Sequence, residues 1–269
     1  MLVATQSRGY SQTAEDRFQT NSPKSFASTI GADVWHVASS PFRMSTKRTL
    51  QFVSFTALNI GLMYGFDGEA DEEFAIEEPT AYLKPAEAMA DFGDLYDRIG
   101  SGRILAGLST AMVAGGLIFK DKKLLETTRL LIESSAITGI ITYASKGLFC
   151  RARPYTGKGA RDFKFFTFSG KVRFRALPSG HASSAFAMMT VIAKQYDQWW
   201  IRIPAYTLAV SVALQRMDDR QHWASDVLVG GAIGYLVSSS LVNRYKNKPQ
   251  GTSVQPYASK NGLGLSLNF

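Results

Sequence analysis

The chemistry in this chain gathers around Pro178-Ser179-Gly180-His181, which brings a hydroxyl, a backbone without a Cβ and an imidazole to one point. Proline fixes its own φ, and glycine lets the backbone approach a ligand closely. The small, apolar run that follows, through Met189, reads as a helix. A helix beginning near Ser179 aims its unpaired N–H groups and the positive end of its dipole at that same point, which suits an anion. Alone, the turn is better explained as a capped loop with an incidental histidine. Its flanks change that. Upstream stand Lys146, Arg153 and Pro154, spaced as Lys-x6-Arg-Pro; downstream stand Arg216, His222 and Asp226, spaced as Arg-x5-His-x3-Asp. The chain has three histidines, His36, His181 and His222, and two of them fall inside these patterns. Lys146, Arg153 and Arg216 can supply charge to a phosphate, the arginines with a planar fork. His222 and Asp226, four apart, share one face of a helix. The carboxylate can then fix the imidazole tautomer and stabilise its charged form.

Taken together and in order, the three patterns resemble the type 2 phosphatidic acid phosphatase (PAP2) and vanadium haloperoxidase superfamily, over about residues 95–245. That family's signature is Lys-x6-Arg-Pro, then Pro-Ser-Gly-His, then Ser-Arg-x5-His-x3-Asp. One departure is visible: Gln215 stands where the family usually has Ser. The resemblance implies an all-α helical bundle and assigns roles. His222 is the nucleophile, forming a phospho-histidine, and Asp226 orients it. His181 is the general acid for the leaving group and then the base that activates water. Lys146, Arg153 and Arg216 bind phosphate oxygens, aided by the Ser179 hydroxyl and the Gly180 N–H. No metal and no cofactor are implied, since three cations take the metal's place; vanadate enters only under a haloperoxidase reading. Each residue also has a plainer explanation. Lys146 can snorkel from a helix end, Arg216 can pair with Asp218, and His222 with Asp226 can be a packed polar pair. Their fall into one ordered pattern favours the site.

Six apolar segments must position these groups: residues 50–66, 104–119, 124–146, 182–193, 203–214 and 227–242. Their number matches the membrane-embedded lipid phosphatases of the resembling family. All but 124–146, which Arg129 and Glu133 interrupt, are shorter than the roughly 20 apolar residues that span a bilayer, and runs of 10–14 more often mean buried core. The balance leans slightly toward membrane association. Residues 1–43 are polar, lack helical periodicity and read as a flexible leader. Residues 44–70 carry Lys47-Arg48 before a charge-free run and read as an export signal or signal anchor, with a possible cleavage site at Gly68-Glu69-Ala70. Residues 71–100 comprise a block of acids, Asp71, Glu72, Glu73, Glu77 and Glu78, read as a solvated linker, and an amphipathic surface helix over 83–99. The catalytic domain is expected over 101–245. Residues 246–269 form a polar linker and a short C-terminal β-hairpin packed on the helices, signalled by Asn261-Gly262 and by Leu263, Leu265, Leu267 and Phe269 in alternation.

Between the first two patterns, residues 151–175 hold eight basic side chains against one acid, Asp162, with five phenylalanines interleaved. Beside a phosphate pocket this makes an electropositive, partly apolar lip suited to a phosphate head on an apolar body. Asp218, Asp219 and Arg220 read as loop residues, and Trp223 as packing beside the site. Cys150, the single cysteine, is expected to be a small packed residue rather than a nucleophile.

With 45% apolar residues the chain is not globally disordered, and its net charge of +8 fits anionic partners. Nucleic acid is the weakest of these, because no nucleic-acid motif is present. The expected function is hydrolysis of a phosphate monoester or pyrophosphate, of a lipid or a small soluble phosphomonoester, without a metal. The expected location is the cell envelope, with the site on the non-cytoplasmic side. Two rivals stand: a vanadate-dependent haloperoxidase and a non-catalytic protein that binds anionic lipid. Sequence alone gives no oligomeric state.

Overall fold

A computed structural model describes residues 23–75, 84–247, 253–259 and 262–268. Nine α-helices lie among them: α1 (Pro23–Ala38), α2 (Thr46–Gly65), α3 (Asp67–Phe74), α4 (Lys84–Ile99), α5 (Ser101–Ile118), α6 (Lys122–Phe149), α7 (Gly180–Gln195), α8 (Trp199–Asp218) and α9 (Ala224–Lys246). The expectation of about six helices therefore needs correction. Counting apolar runs finds α2 and α5–α9, but passes over α1 and α3. α4, expected as a surface helix, packs on α8. These three helices dock through ion pairs and narrow faces, which a hydropathy count does not register. Asp33 of α1 is buried and pairs with Arg129 of α6 at 3.4 Å and Arg244 of α9 at 3.0 Å. Part of the polar leader is thus attached to the bundle. The acidic block is not simply solvated either, since Asp71 of α3 pairs with Arg220 at 2.6 Å.

Local chemistry sets the helix ends. Asp121 accepts from Leu124 N at 3.1 Å and opens α6. Cys150 closes α6 in the left-handed region, with φ 44°, and so turns the chain back toward the bundle. Its thiol is fully buried against Ala152 and Phe174. Ser179 opens α7 as its N-cap, its Oγ accepting from Ala182 N at 3.4 Å.

α7 is the central helix, packed against α6, α8 and α9. Its Ala185, Met188 and Val191 meet Leu131 and Ile137 of α6, Val212 of α8 and Leu241 of α9 in one apolar core. The approach to α9 is close: a Cβ on Gly230 would lie 2.5 Å from the carbonyl oxygen of Ser179. α4 lies as close on α8, where a Cβ on Gly93 would fall 2.4 Å from the carbonyl oxygen of Ser211. Larger residues at either position force the helices apart.

The helices run well past their charge-free centres, to 20 residues in α2, 28 in α6, 20 in α8 and 23 in α9. α5 and α9 are long and apolar enough to cross a membrane. Apolar side chains stand exposed along the bundle's sides, among them Leu50 and Phe52 of α2, Ile140 of α6, Trp199 and Ile203 of α8, and Leu236 of α9. Beyond α9, β1 (Ser253–Ser259) pairs antiparallel with β2 (Gly262–Asn268), Ser253 opposite Asn268 and Ser259 opposite Gly262. The Asn261 turn position, Glu77 and Glu78 lie outside the described residues.

Candidate active site

The C-terminal ends of α4, α6 and α8 and the N-terminal ends of α5, α7 and α9 meet at one end of the bundle. There they enclose a cavity of about 450 Å³ lined by Lys146, Arg153, Gly180, His181 and His222, together with Arg175 and Tyr143. Five of the eight residues singled out from sequence thus line a single space. No aspartate or glutamate is among its lining residues.

Ser179 and Asp226 lie just behind that wall, both fully buried. They join the two histidine segments, because Ser179 N donates to Asp226 O at 3.0 Å and Ser183 Oγ donates to Ser179 O at 2.6 Å. The Asp226 side chain is held by two hydrogen bonds. Trp223 N donates to its Oδ2 at 2.9 Å, and Arg151 Nη1 donates to its Oδ1 at 2.6 Å. His222 Nδ1 stands 3.8 Å from Oδ2, inside ion-pair range and beyond hydrogen-bond range, and has no hydrogen-bond partner. This leaves Nε2 on the cavity side. Burial pushes the His222 imidazole down to about 3, with Lys146 and Arg153 adding to the effect and Asp226 opposing it. The ring is therefore neutral and its lone pair free at neutral pH.

Lys146 donates to the carbonyl oxygen of Arg175 at 2.6 Å, which fixes its ammonium at the cavity wall. Arg153 donates through Nη1 to Gln221 and leaves Nε buried without a partner.

Arg216 is the predicted phosphate ligand that the structure does not bring to the cavity wall. Its guanidinium is held by Asp97 of α4, with Nη1 to Oδ1 at 2.8 Å, by Asp219, and by Gln215 Oε1, which accepts from Nε at 2.7 Å. Gln215, where the resembling family has Ser, thus helps to hold the arginine. Asp219, one position beyond the partner weighed from sequence, pairs with Arg216.

Three functional candidates escaped the sequence reading. Asp97 Oδ1 also lies 3.1 Å from His181 Nε2, so one carboxylate serves the second histidine and the arginine together. Burial pushes His181 down to about 4, Arg216 contributes in the same direction, and Asp97 pulls it back. The other two are Arg151 and Asp67. Arg151 is fully buried within the first pattern and bridges Asp226 to Asp67 of α3, at 2.7 Å through Nη2. Asp67 also accepts from Ser225 N at 2.9 Å and Ser225 Oγ at 2.5 Å. Asp67 directly precedes the expected cleavage site and belongs to no pattern; its only sequence signal is an acid next to an apolar run. Trp223 packs where expected, with Nε1 donating to Ala152 O at 2.8 Å.

Residues 127–249, which carry all three patterns, match the model of the PAP2 superfamily. Over this segment the chain is similar to that superfamily. The match ends before β1 and gives the two-stranded tail no support. A lipid A 1-phosphatase of Rhizobium etli is 26% identical over 199 residues, covering 68% of this chain and 78% of that protein. A lipid A 1-phosphatase of Porphyromonas gingivalis is 35% identical over 104 residues, 38% of this chain. The chain spans only 20% of that relative's length. A lipid A 4'-phosphatase of Helicobacter pylori is 28% identical over 52% of this chain and 70% of its own. Among solved structures, a transmembrane PAP2-type phosphatidylglycerolphosphate phosphatase from Bacillus subtilis superposes with a TM-score of 0.49 at 21% identity, covering 77% of this chain and 98% of its own.

Proposed function

We propose that this protein is a membrane-embedded phosphatase that removes phosphate from a lipid phosphate monoester or diphosphate through a phospho-histidine on His222. The observation that carries this reading is the convergence of a neutral, buried imidazole backed by Asp226, a second imidazole and three basic side chains on one cavity free of lining carboxylates.

Phosphoryl transfer needs compensation of the negative charge on the equatorial oxygens, an in-line nucleophile and a protonated leaving oxygen. Lys146, Arg153 and the Gly180 N–H at the start of α7 compensate the phosphate. His222 Nε2 attacks phosphorus, and the imidazolium that develops is stabilised by Asp226, which closes the 3.8 Å gap as charge appears. His181 protonates the leaving oxygen and then takes a proton from the attacking water. Its depressed proton affinity is restored by the bound dianion, with Asp97 assisting. Arg216 ties Asp97 to the site, and its two remaining N–H donors are available to a phosphate oxygen beside His181. No metal or other cofactor takes a step in this scheme.

Membrane embedding is supported by the exposed apolar sides of the bundle and by the position of the cavity at its end, where a phosphate head meets water while an acyl body stays in lipid. The three lipid A phosphatase relatives support a lipid phosphate as substrate. A location in the cell envelope with the cavity on the non-cytoplasmic side rests on the family resemblance.

The test is phosphate release in detergent from a long-chain lipid phosphate and from a soluble aryl phosphate, with EDTA present, for wild type and His222→Ala. Release that survives EDTA and falls at least about a thousandfold in the variant is the expected result. A variant that keeps its activity, or a wild type silenced by EDTA, overturns the mechanism. A wild type that binds anionic lipid and never releases phosphate favours the binding-protein reading.

A further inference from the structure

Arg175 is the cation at this cavity that the three motifs leave unexplained. Its backbone carbonyl holds Lys146, while its guanidinium rests 4.5 Å from the centre of the Tyr143 ring. Both side chains line the cavity. Among the described residues no ion pair engages Arg175, and the carboxylates nearest the site are committed elsewhere: Asp226 to Arg151, and Asp97 and Asp219 to Arg216. An arginine held by a ring face and lacking a carboxylate keeps its donor fork available to an anion.

Depth orders the groups. His222 is 3% exposed and Tyr143 is 69% exposed, with Arg175 half-buried between them. A phosphate attacked by His222 is therefore deep, and Arg175 faces whatever follows it toward the mouth. Charge gives the same direction. Lys146, Arg153 and Arg175 place three basic side chains on the wall, whereas a phosphate monoester carries about two negative charges at neutral pH. A second phosphate linked to the first supplies the missing charge in the right place.

We propose that Arg175, supported on the face of Tyr143, forms an outer anion subsite for the second phosphate of a lipid diphosphate whose terminal phosphate sits at His222. This rests on the phosphatase reading above. In the first step His222 Nε2 bonds to the terminal phosphorus, and the bond from that phosphorus to the bridging oxygen breaks. The bridging oxygen keeps the electron pair and takes the His181 proton, leaving as a lipid monophosphate whose charge Arg175 balances. Water then gives a proton to His181 and its oxygen to phosphorus, the P–N bond breaks, and inorganic phosphate and neutral His222 are released.

The experiment compares an isoprenyl monophosphate with the isoprenyl diphosphate of the same chain length, in the same detergent, for wild type, Arg175→Gln, Arg175→Lys and Tyr143→Leu. The Arg175 variants retain the carbonyl that holds Lys146, and thermal unfolding checks the fold of each. For Arg175→Gln, kcat/KM on the diphosphate is expected to fall about 10- to 100-fold, chiefly through KM, and at least about tenfold more than on the monophosphate. Arg175→Lys is expected to recover part of that loss, and Tyr143→Leu to lose less. Equal losses on both substrates place Arg175 in the inner cradle and overturn the subsite. So does a wild type that cleaves the monophosphate and not the diphosphate. Release from neither substrate removes the phosphatase reading itself, and the subsite with it.

Discussion

Asp67 lies in a short helix outside every motif, yet Asp67→Ala is expected to damage both stability and turnover. The carboxylate accepts three hydrogen bonds in a fully buried site, from Arg151 at 2.7 Å and from Ser225 N and Oγ at 2.9 and 2.5 Å. Removing it leaves the sealed Arg151 guanidinium with Asp226 as its one remaining carboxylate. Breaking a buried pair in this way costs about 3–5 kcal/mol. For a domain of this size that corresponds to a fall of about 6–20 °C in unfolding midpoint. Arg151 then draws Asp226 toward itself and away from His222, whose Nδ1 is already 3.8 Å from it. We expect kcat on a soluble aryl phosphate to fall at least about tenfold in the protein that remains folded, with KM changed less. The assay pairs thermal unfolding in detergent with steady-state kinetics well below the midpoint. Asp67→Asn, which keeps the shape and loses the charge, is expected to fall between wild type and Asp67→Ala. An Asp67→Ala protein with wild-type midpoint and kcat refutes the claim that this network positions the catalytic pair.

Asp97→Asn removes the charge that favours protonated His181, so the basic limb of the kcat–pH profile on aryl phosphate is expected to move to lower pH, with kcat down about tenfold at neutral pH; a superimposable profile refutes the role. Both histidines are held neutral by burial, His222 to about 3 and His181 to about 4, while the unfolded chain protonates them below about 6.5. The unfolded state therefore binds more protons in that window, and stability falls as pH drops through it, by up to about 1.4 kcal/mol per pH unit from His222. Unfolding midpoints at pH 7 and pH 5 read this, and a His222→Ala series as steep as wild type refutes it. Gly230→Ala sets a Cβ 2.5 Å from the Ser179 carbonyl oxygen and is expected to cost about 1–3 kcal/mol and to depress kcat by displacing the Ser179 turn; unchanged values of both count against the close packing described.

The residues legible in the sequence were those whose chemistry is tied to fixed spacing. Lys146, Arg153, His181 and His222 stand on helix ends and tight turns, so a pattern in sequence survives as a pattern in space. Asp97 and Asp67 were not legible as site residues. They reach the site through long-range contacts that only tertiary packing defines, 84 positions from Asp67 to Arg151 and 119 from Asp97 to Arg216. Composition misled where a charge found a partner inside the fold. The acids near residue 70 look solvated in a hydropathy count, yet Asp67 is sealed in the core and Asp71 meets Arg220. Arg216 is only partly legible. Its spacing is right, and its position beside Asp97, Asp219 and Gln215 depends on neighbours that the motif does not name.

The buried bridge from Asp226 through Arg151 to Asp67 also redraws the boundary of the working unit. The family model is matched over residues 127–249, so a fragment cut there would carry every signature residue. It would also seal Arg151 into the interior one carboxylate short and strip Arg216 and His181 of Asp97. The segment by which the family is recognised is thus smaller than the piece of protein that can be transplanted, and grafting or truncation has to keep the helices that begin at Asp67 and Lys84 as part of the catalytic module.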